Sequence, residues 1–225
     1  MIPWQQIDRA TVPGSGVELR LMRRGAEFSM KIGPNELMNS RLSATEQGLA
    51  TIALDKIRTK TAPKILIGGL GMGFTLRAAL IVLGPKAKIT VAELVPAVIA
   101  WARGPMAPVF GDSLSDKRLR IHEGDVGELI RAGKAAYDAV LLDVDNGPEG
   151  MTRVANDALY DLKGLRAAYA ALRPGGVLAV WSSAPDKKFT ARLRKTGFDV
   201  KEIPLRAKGP QGGAQHFIWT ATRGD

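Results

Sequence analysis

The chain has 225 residues, of which 45% are hydrophobic and 24% are charged, and it contains no cysteine. This composition is typical of a folded globular protein, and it excludes a disordered chain, a disulfide framework and thiolate metal sites. The 32 basic and 22 acidic residues give a formal net charge of +10, which favours an acidic ligand or a weak nucleic-acid contact over a cationic ligand. Only two histidines are present, so we expect no metal site.

Two further exclusions concern membranes and export. No apolar run approaches the roughly 20 residues that a membrane-spanning helix needs. The first ten residues, MIPWQQIDRA, lack the basic and then apolar pattern of a secretory signal. We therefore expect a cytoplasmic protein without a membrane partner.

Residues 1–60 are predicted to form a small β-rich appendage with one helix. Short strands are predicted at 17–22 and 27–32, because both segments are rich in strand-forming residues and are separated by a turn. Ser43 is followed three residues later by Glu46, the pattern of a capping box that starts a helix.

Residues 61–225 are predicted to form the main domain, because strand and helix patterns alternate there. Near-continuous apolar strands that alternate with helices indicate a mostly parallel sheet with helices on both faces. Predicted strands are 64–67, 88–93, 119–122, 137–142 and 177–181; predicted helices are 74–83, 96–103, 126–132, 159–172 and 187–195; a closing antiparallel pair is predicted at 198–204 and 215–220.

A glycine cluster, GGLGMG at 68–73, follows the first of these strands and opens a helix. No lysine follows it, which excludes a P-loop, and the spacing G-x-G-x-x-G of dinucleotide sites is not met. The remaining pattern, Gly69, Gly71 and Gly73, suits a nucleoside without a pyrophosphate, because glycines allow the backbone to approach a ligand closely.

Acidic residues follow the next two predicted strands. Glu93 ends the second strand and is placed to accept hydrogen bonds from both ribose hydroxyls. Asp125 follows the third strand and could accept a hydrogen bond from an adenine amino group, with the Val126 N–H facing the ring. An aspartate at this position is also a good helix N-cap. Together with the glycines, these residues predict an adenosine site.

These motifs, with the Arg-Pro-Gly-Gly segment at 173–176, resemble the class I S-adenosylmethionine-dependent transferases. Within that class the chain resembles the spermidine synthase (aminopropyltransferase) family, in its β-rich N-terminal appendage, its Glu46 helix and the segment YDAVLLD at 137–143. The resemblance implies a Rossmann-like class I methyltransferase fold, a role in polyamine biosynthesis and a homodimer. It also implies S-adenosylmethionine or its decarboxylated form as co-substrate, and no metal.

The resemblance implies a catalytic role for Asp143, as the base that takes a proton from the attacking amine. The chain departs from the family's pattern after this residue, where Asn146 stands at the position of the family's second aspartate and the adjacent Asp145 could substitute for it by a shift of one residue. A family aspartate in the glycine cluster and a carboxylate after Glu93 are also missing. These losses favour an amine acceptor that bears an acidic group. Glu46 and Trp181 are further candidates to contact it.

Three alternatives stay open at this point. In the first, Asp143 is a structural aspartate that orients the turn after its strand. A small-molecule methyltransferase would use the same adenosine site, but it would release S-adenosylhomocysteine instead of methylthioadenosine. A non-catalytic nucleoside-binding module with a basic face would keep the glycines and lose the substrate carboxylates, and the net charge leaves a nucleic-acid contact open to it.

Overall fold

A computed structural model of the chain describes residues 2–144 and 158–225. Within these two ranges, no helix has the length and apolar character required to cross a membrane. The described residues form two sheets, a small antiparallel one at the N-terminus and a larger one of seven strands.

The N-terminal sheet is an antiparallel meander with the strand order β1-β2-β3-β4. It is followed by helix α1 (Ala44–Leu54), which packs against helix α2 (Phe74–Val82). Strand β2 buries alternate side chains, Leu19 and Leu21, as expected for a strand with one face on the core, whereas β3 buries three residues in a row, Phe28, Ser29 and Met30. The strands are β1 (Gln5–Thr11), β2 (Glu18–Arg24), β3 (Glu27–Ile32) and β4 (Asn35–Asn39).

The larger sheet has the order β10-β11-β9-β8-β5-β6-β7. Strands β5 to β9 pair with one another in parallel, and β11 is antiparallel to both β9 and β10. Its strands are β5 (Lys64–Gly68), β6 (Lys88–Glu93), β7 (Leu119–Glu123), β8 (Tyr137–Leu142), β9 (Leu172–Ser182), β10 (Phe198–Arg206) and β11 (Gln215–Arg223).

Helices connect these strands and cover both faces of the sheet. The apolar residues of the sheet fall into two clusters, one of which also includes Leu21, Met30 and Leu49 from the N-terminal region. The two sheets therefore share a core. The helices are α2 (Phe74–Val82), α3 (Pro96–Arg103), α4 (Ala107–Phe110), α5 (Val126–Ala132), α6 (Leu162–Ala171) and α7 (Lys187–Thr196).

The predicted fold class is confirmed, and most predicted elements agree with the structure within a few residues. Strand β1 was not predicted, because its exposed sequence QQIDRAT lacks an apolar alternation. Strand β9 begins at Leu172 and not at 177, so the strand includes Pro174 and the two glycines that were expected to separate it from the helix. The domain boundary at residue 60 stays a prediction.

The predicted capping box is wrong. Ser43 is the residue before α1, but its side chain caps no backbone N–H. The Glu46 side chain instead accepts a hydrogen bond from the Thr45 hydroxyl at 2.8 Å. The Ser43 hydroxyl accepts a hydrogen bond from the Gln47 side chain at 2.9 Å. Both residues of the predicted capping box are thus present, but their side chains bond to other side chains and not to the backbone at the helix start.

Candidate active site

A cleft with a cavity volume of about 120 Å³ lies between the carboxyl ends of the parallel strands and the N-terminal sheet. We call it the glycine cleft. Its floor contains Gly69 and Gly71 after β5, the ends of β6 and β8, and the start of α5. Its other wall is an apolar surface from the N-terminal sheet and the loops beside it, formed by Val12, Leu19, Met30, Ile32, Leu37 and Met38.

Three of the four glycines in the cluster, Gly69, Gly71 and Gly73, have left-handed backbone conformations, but for different reasons. A Cβ on Gly69 would lie 2.4 Å from the Asp143 carbonyl oxygen, so glycine is needed for the close approach of two strand ends. At Gly73 the Cβ would lie 2.4 Å from the Phe110 ring. Of the three, Gly69 and Gly71 line the glycine cleft, while Gly73 is required by packing.

Glu93 lies at the end of β6 and is 7% exposed. One carboxylate oxygen accepts from the Leu70 backbone N–H and the other from the Val95 N–H, both at 2.9 Å. Burial raises the pKa of Glu93 despite these hydrogen bonds. The side chain is thus fixed at the edge of the cleft by backbone N–H groups.

Asp125 serves as the N-cap of α5. Its Oδ1 accepts from the Gly127 N–H at 2.8 Å, and its Oδ2 lies 3.8 Å from the Arg131 guanidinium. Asp125 and Val126 both line the glycine cleft. The capping role and a ligand contact are compatible, because the carboxylate has acceptor positions that the cap does not use.

A second, smaller cavity adjoins the glycine cleft. We call it the acidic cavity, because its charged lining residues among the described ones are Glu46 and Asp143. Leu37, Met38, Gly71 and Asp143 line both spaces. Asp143 therefore lies where the two spaces meet.

Asp143 follows β8, with its backbone N–H bonded to the Gly68 carbonyl at 3.0 Å. Burial raises the pKa of Asp143 to about 7, and the nearby negative charge of Glu46 contributes to the increase. A carboxyl group with this pKa exchanges a proton readily at neutral pH, which is the property that a general base requires.

Thr75 can bond to Asp143 in either protonation state. Its hydroxyl lies 2.6 Å from the Asp143 Oδ2 and 3.2 Å from the Glu46 backbone carbonyl oxygen. When Asp143 is ionised, the hydroxyl donates to it. When Asp143 carries the proton, that proton is donated to the Thr75 oxygen and the hydroxyl turns to the carbonyl. In both protonation states, one of the two groups donates a hydrogen bond to the other.

Glu46 is the second carboxyl group of the acidic cavity, and burial raises its pKa. Its Oε2 accepts from the buried Thr45 hydroxyl at 2.8 Å, and that hydroxyl oxygen also lies 3.0 Å from His216 Nδ1. His216 lies on β11, where burial lowers its pKa. The three side chains form a continuous row from the cavity toward the protein surface.

Trp181 lies at the end of β9, lines the acidic cavity and is 8% exposed. Its ring meets the His216 ring edge to face, with centroids 4.8 Å apart. Its indole Nε1 is buried and has no hydrogen-bond partner among the described residues. Trp181 therefore forms a wall of the cavity and fixes the orientation of the histidine.

Two predicted substrate residues, Asp145 and Asn146, lie outside the described residues. In the described ranges, no group of three or more histidine or acidic side chains could hold a metal ion.

Sequence reasoning missed Thr45, Thr75 and His216. Of these three residues, Thr75 alone could have been identified from the sequence. It lies two residues after the last glycine of the cluster, and a hydroxyl at the start of this helix faces the edge of the sheet where the parallel strands end.

No protein-family model matches the chain. It is 29% identical over 119 residues to the polyamine aminopropyltransferase of Korarchaeum cryptofilum, a match that covers 53% of this chain and 35% of the relative. It is 32% identical over 124 residues to polyamine aminopropyltransferase 1 of Streptomyces coelicolor, which covers 54% of this chain and 22% of that relative. The matched part thus spans about a third or less of these relatives' length.

Similarity in structure extends over almost the whole chain. Spermidine synthase from Thermotoga maritima superimposes with a TM-score of 0.77 at 18% identity, covering 98% of this chain and 73% of that one. A spermidine synthase in complex with the transition state analogue AdoDATO gives 0.75, also at 18% identity and with the same coverage. The predicted resemblance to the aminopropyltransferases is confirmed, and the chain has the Rossmann-type fold of spermidine synthase.

Proposed function

We propose that this protein is a transferase that moves an aminopropyl group from decarboxylated S-adenosylmethionine to a small amine. The observation that carries the proposal is the position of Asp143, where the glycine cleft meets the acidic cavity. A donor in the first space and an amine in the second would meet at this carboxyl group. The aminopropyltransferases named above support the same reaction class.

The donor is expected to bind in the glycine cleft. Glu93 would accept from the ribose hydroxyls, while Asp125 and Val126 would contact the adenine, with Gly69 and Gly71 allowing close approach of the backbone. The charged residues among the described ones that line this cleft are all acidic: Glu93, Asp125 and Asp143. They offer no partner for the carboxylate of S-adenosylmethionine, which supports the decarboxylated donor.

The amine acceptor is expected to bind in the acidic cavity. Glu46 and Asp143 would attract a cationic amine, and Trp181 would form the apolar wall beside it. The described walls of this cavity contain no cationic side chain that could bind an acid, so they do not support the expectation of an acidic acceptor. Contacts from Asp145 and Asn146 remain part of the prediction.

The reaction needs one proton to leave the amine. The amine nitrogen attacks the propyl carbon that is bonded to the sulfonium, the carbon–sulfur bond breaks, and its electron pair goes to sulfur, giving methylthioadenosine. Asp143 takes the proton from the nitrogen as the new carbon–nitrogen bond forms. The sulfonium is already a good leaving group, so positioning and proton removal are the tasks left to the protein.

The test is mass spectrometry of the nucleoside product. The protein is incubated with each donor separately and with a pool of amines, and methylthioadenosine is measured against S-adenosylhomocysteine. Methylthioadenosine from the decarboxylated donor, abolished by Asp143→Asn and retained by Asp112→Asn at an exposed position, is the expected result. S-adenosylhomocysteine would assign a methyltransferase instead, and donor binding without either product would assign a nucleoside-binding module.

A homodimer and a cytoplasmic location also belong to this proposal. The dimer is implied by the family resemblance, and the absence of cysteine is consistent with a reducing compartment. Light scattering of the purified protein checks the dimer.

A further inference from the structure

The Glu46 carboxyl, the Thr45 hydroxyl and the His216 ring form a row of hydrogen bonds that starts in the acidic cavity. The distances are 2.8 Å from Thr45 Oγ1 to Glu46 Oε2 and 3.0 Å from Thr45 Oγ1 to His216 Nδ1. Thr45 is 1% exposed, while His216 is only half-buried. The row therefore leads from a cavity carboxyl group, through a hydroxyl shielded from water, to a ring that water can reach.

A hydroxyl group carries one proton, so the row has two arrangements. In the first, Glu46 is ionised, Thr45 donates to it, and His216 Nδ1–H donates to Thr45. In the second, Glu46 holds the proton and donates to Thr45, which donates to an unprotonated His216 Nδ1. The two arrangements differ by the movement of two protons along the same two hydrogen bonds.

We propose that Thr45 and His216 form a proton relay that connects Glu46 in the acidic cavity with solvent. The Glu46 O–H bond breaks and its proton passes to Thr45, while the original Thr45 proton passes to His216 Nδ1. The imidazolium so formed releases a proton from Nε2 to water, and exchange of ring protons with solvent restores the starting tautomer. The net result is one proton moved from Glu46 to water.

The electrostatic environment favours this exchange. Burial raises the pKa of Glu46 and lowers that of His216, which brings the proton affinities of the two ends closer than they are in water. Among the described residues, the titratable groups that line the acidic cavity at one end of the row are Glu46 and Asp143, and His216 is the titratable group at the other end. Trp181 and Leu205, which lie beside His216, are uncharged.

The consequence for turnover rests on the proposed function, whereas the relay itself does not. Asp143 faces the charge of Glu46, which helps to raise the pKa of Asp143 to about 7. Release of the Glu46 proton through the relay restores that charge and makes Asp143 a stronger base. Thr45 and His216 are positioning residues in this scheme, because they act on Asp143 through Glu46.

The first test needs no turnover. Because His122 and His216 are the only histidines, nitrogen-15 NMR can follow both rings separately, with His122 as the internal reference. At alkaline pH, where Glu46 is ionised, His216 should carry its proton on Nδ1 in the wild type and in Thr45→Ser. Thr45→Val, which keeps the shape and removes the hydroxyl, should give the Nε2–H form usual in water. The same tautomer in wild type and Thr45→Val would overturn the relay.

The second test measures turnover as a function of pH. If the proposed function holds, Thr45→Val should lower kcat about tenfold and move its pH profile, while Thr45→Ser restores both. A profile that Thr45→Val leaves unchanged would remove the relay from the mechanism. If no variant and no wild-type sample forms product, the transferase proposal fails, and the NMR result still decides whether the relay exists.

Discussion

Replacement of Asp143 by asparagine should raise the stability relative to wild type as the pH rises, whatever the function of the protein. Burial raises the pKa of Asp143 from 3.8 to about 7, so the folded state holds this proton more tightly than the unfolded chain does. The resulting contribution to stability is fully present below pH 3.8 and is lost as the pH rises through about 7. Asparagine cannot ionise and does not carry this dependence.

The magnitude follows from the size of the shift. A difference of about three pKa units corresponds to about 4 kcal/mol at roughly 1.4 kcal/mol per unit. This value is an upper bound, because part of the shift comes from the charge of Glu46 and is shared between the two groups. We therefore expect the stability of Asp143→Asn relative to wild type to increase by up to about 4 kcal/mol between acidic and alkaline pH.

The assay is urea unfolding of wild type and Asp143→Asn at a series of pH values, with Asp112→Asn as the matched control at an exposed site. The difference for Asp143→Asn should rise with pH and level off above about 7, while the control difference should stay flat. The pH dependence is decisive, because a constant offset could come from the new amide alone. A flat difference for Asp143→Asn would refute the inference that this carboxyl group is costly to ionise in the folded protein.

Three further outcomes are expected. Glu46→Gln removes the charge that faces Asp143, so the acidic limb of the kcat/KM profile should move down by about one pH unit; an unmoved limb would show that the two carboxyl groups do not interact. Gly69→Ala should abolish donor binding measured by calorimetry, since its Cβ would lie 2.4 Å from a backbone oxygen; normal affinity would contradict the close approach. Trp101→Phe should lower the free energy of unfolding by about 1 kcal/mol, because its indole donates to the Asp8 carboxylate at 2.6 Å; in an Asp8→Asn background the same change should cost less.

Much of the fold could be predicted because the alternation of apolar strands and helices is strong in the main domain. Strand β6 and helices α3 and α5 match their predicted bounds. Strand β1 could not be predicted, because six of its seven side chains are exposed and its position comes from pairing with β2. Its anchor, the hydrogen bond from Trp101 to Asp8, joins residues 93 positions apart.

The candidate site could be predicted only where its residues follow strand ends in sequence order. Glu93 and Asp143 stand at such positions, so parallel topology alone brings them to one edge. The Thr45–His216 contact joins residues 171 positions apart, and it depends on how α1 packs beside β11. His216 belongs to no recognisable motif and reads in the sequence as an ordinary strand residue.

The two walls of the glycine cleft come from separate stretches of the chain. The apolar wall is built by residues before position 39, and the glycines and acids of the floor fall between positions 69 and 143. A change in the apolar wall therefore needs no change in the sequence of the floor, but Leu19 and Met30 also belong to the core cluster that the two sheets share. Reshaping the upper side of the cleft is thus restricted to side chains that still fill this core.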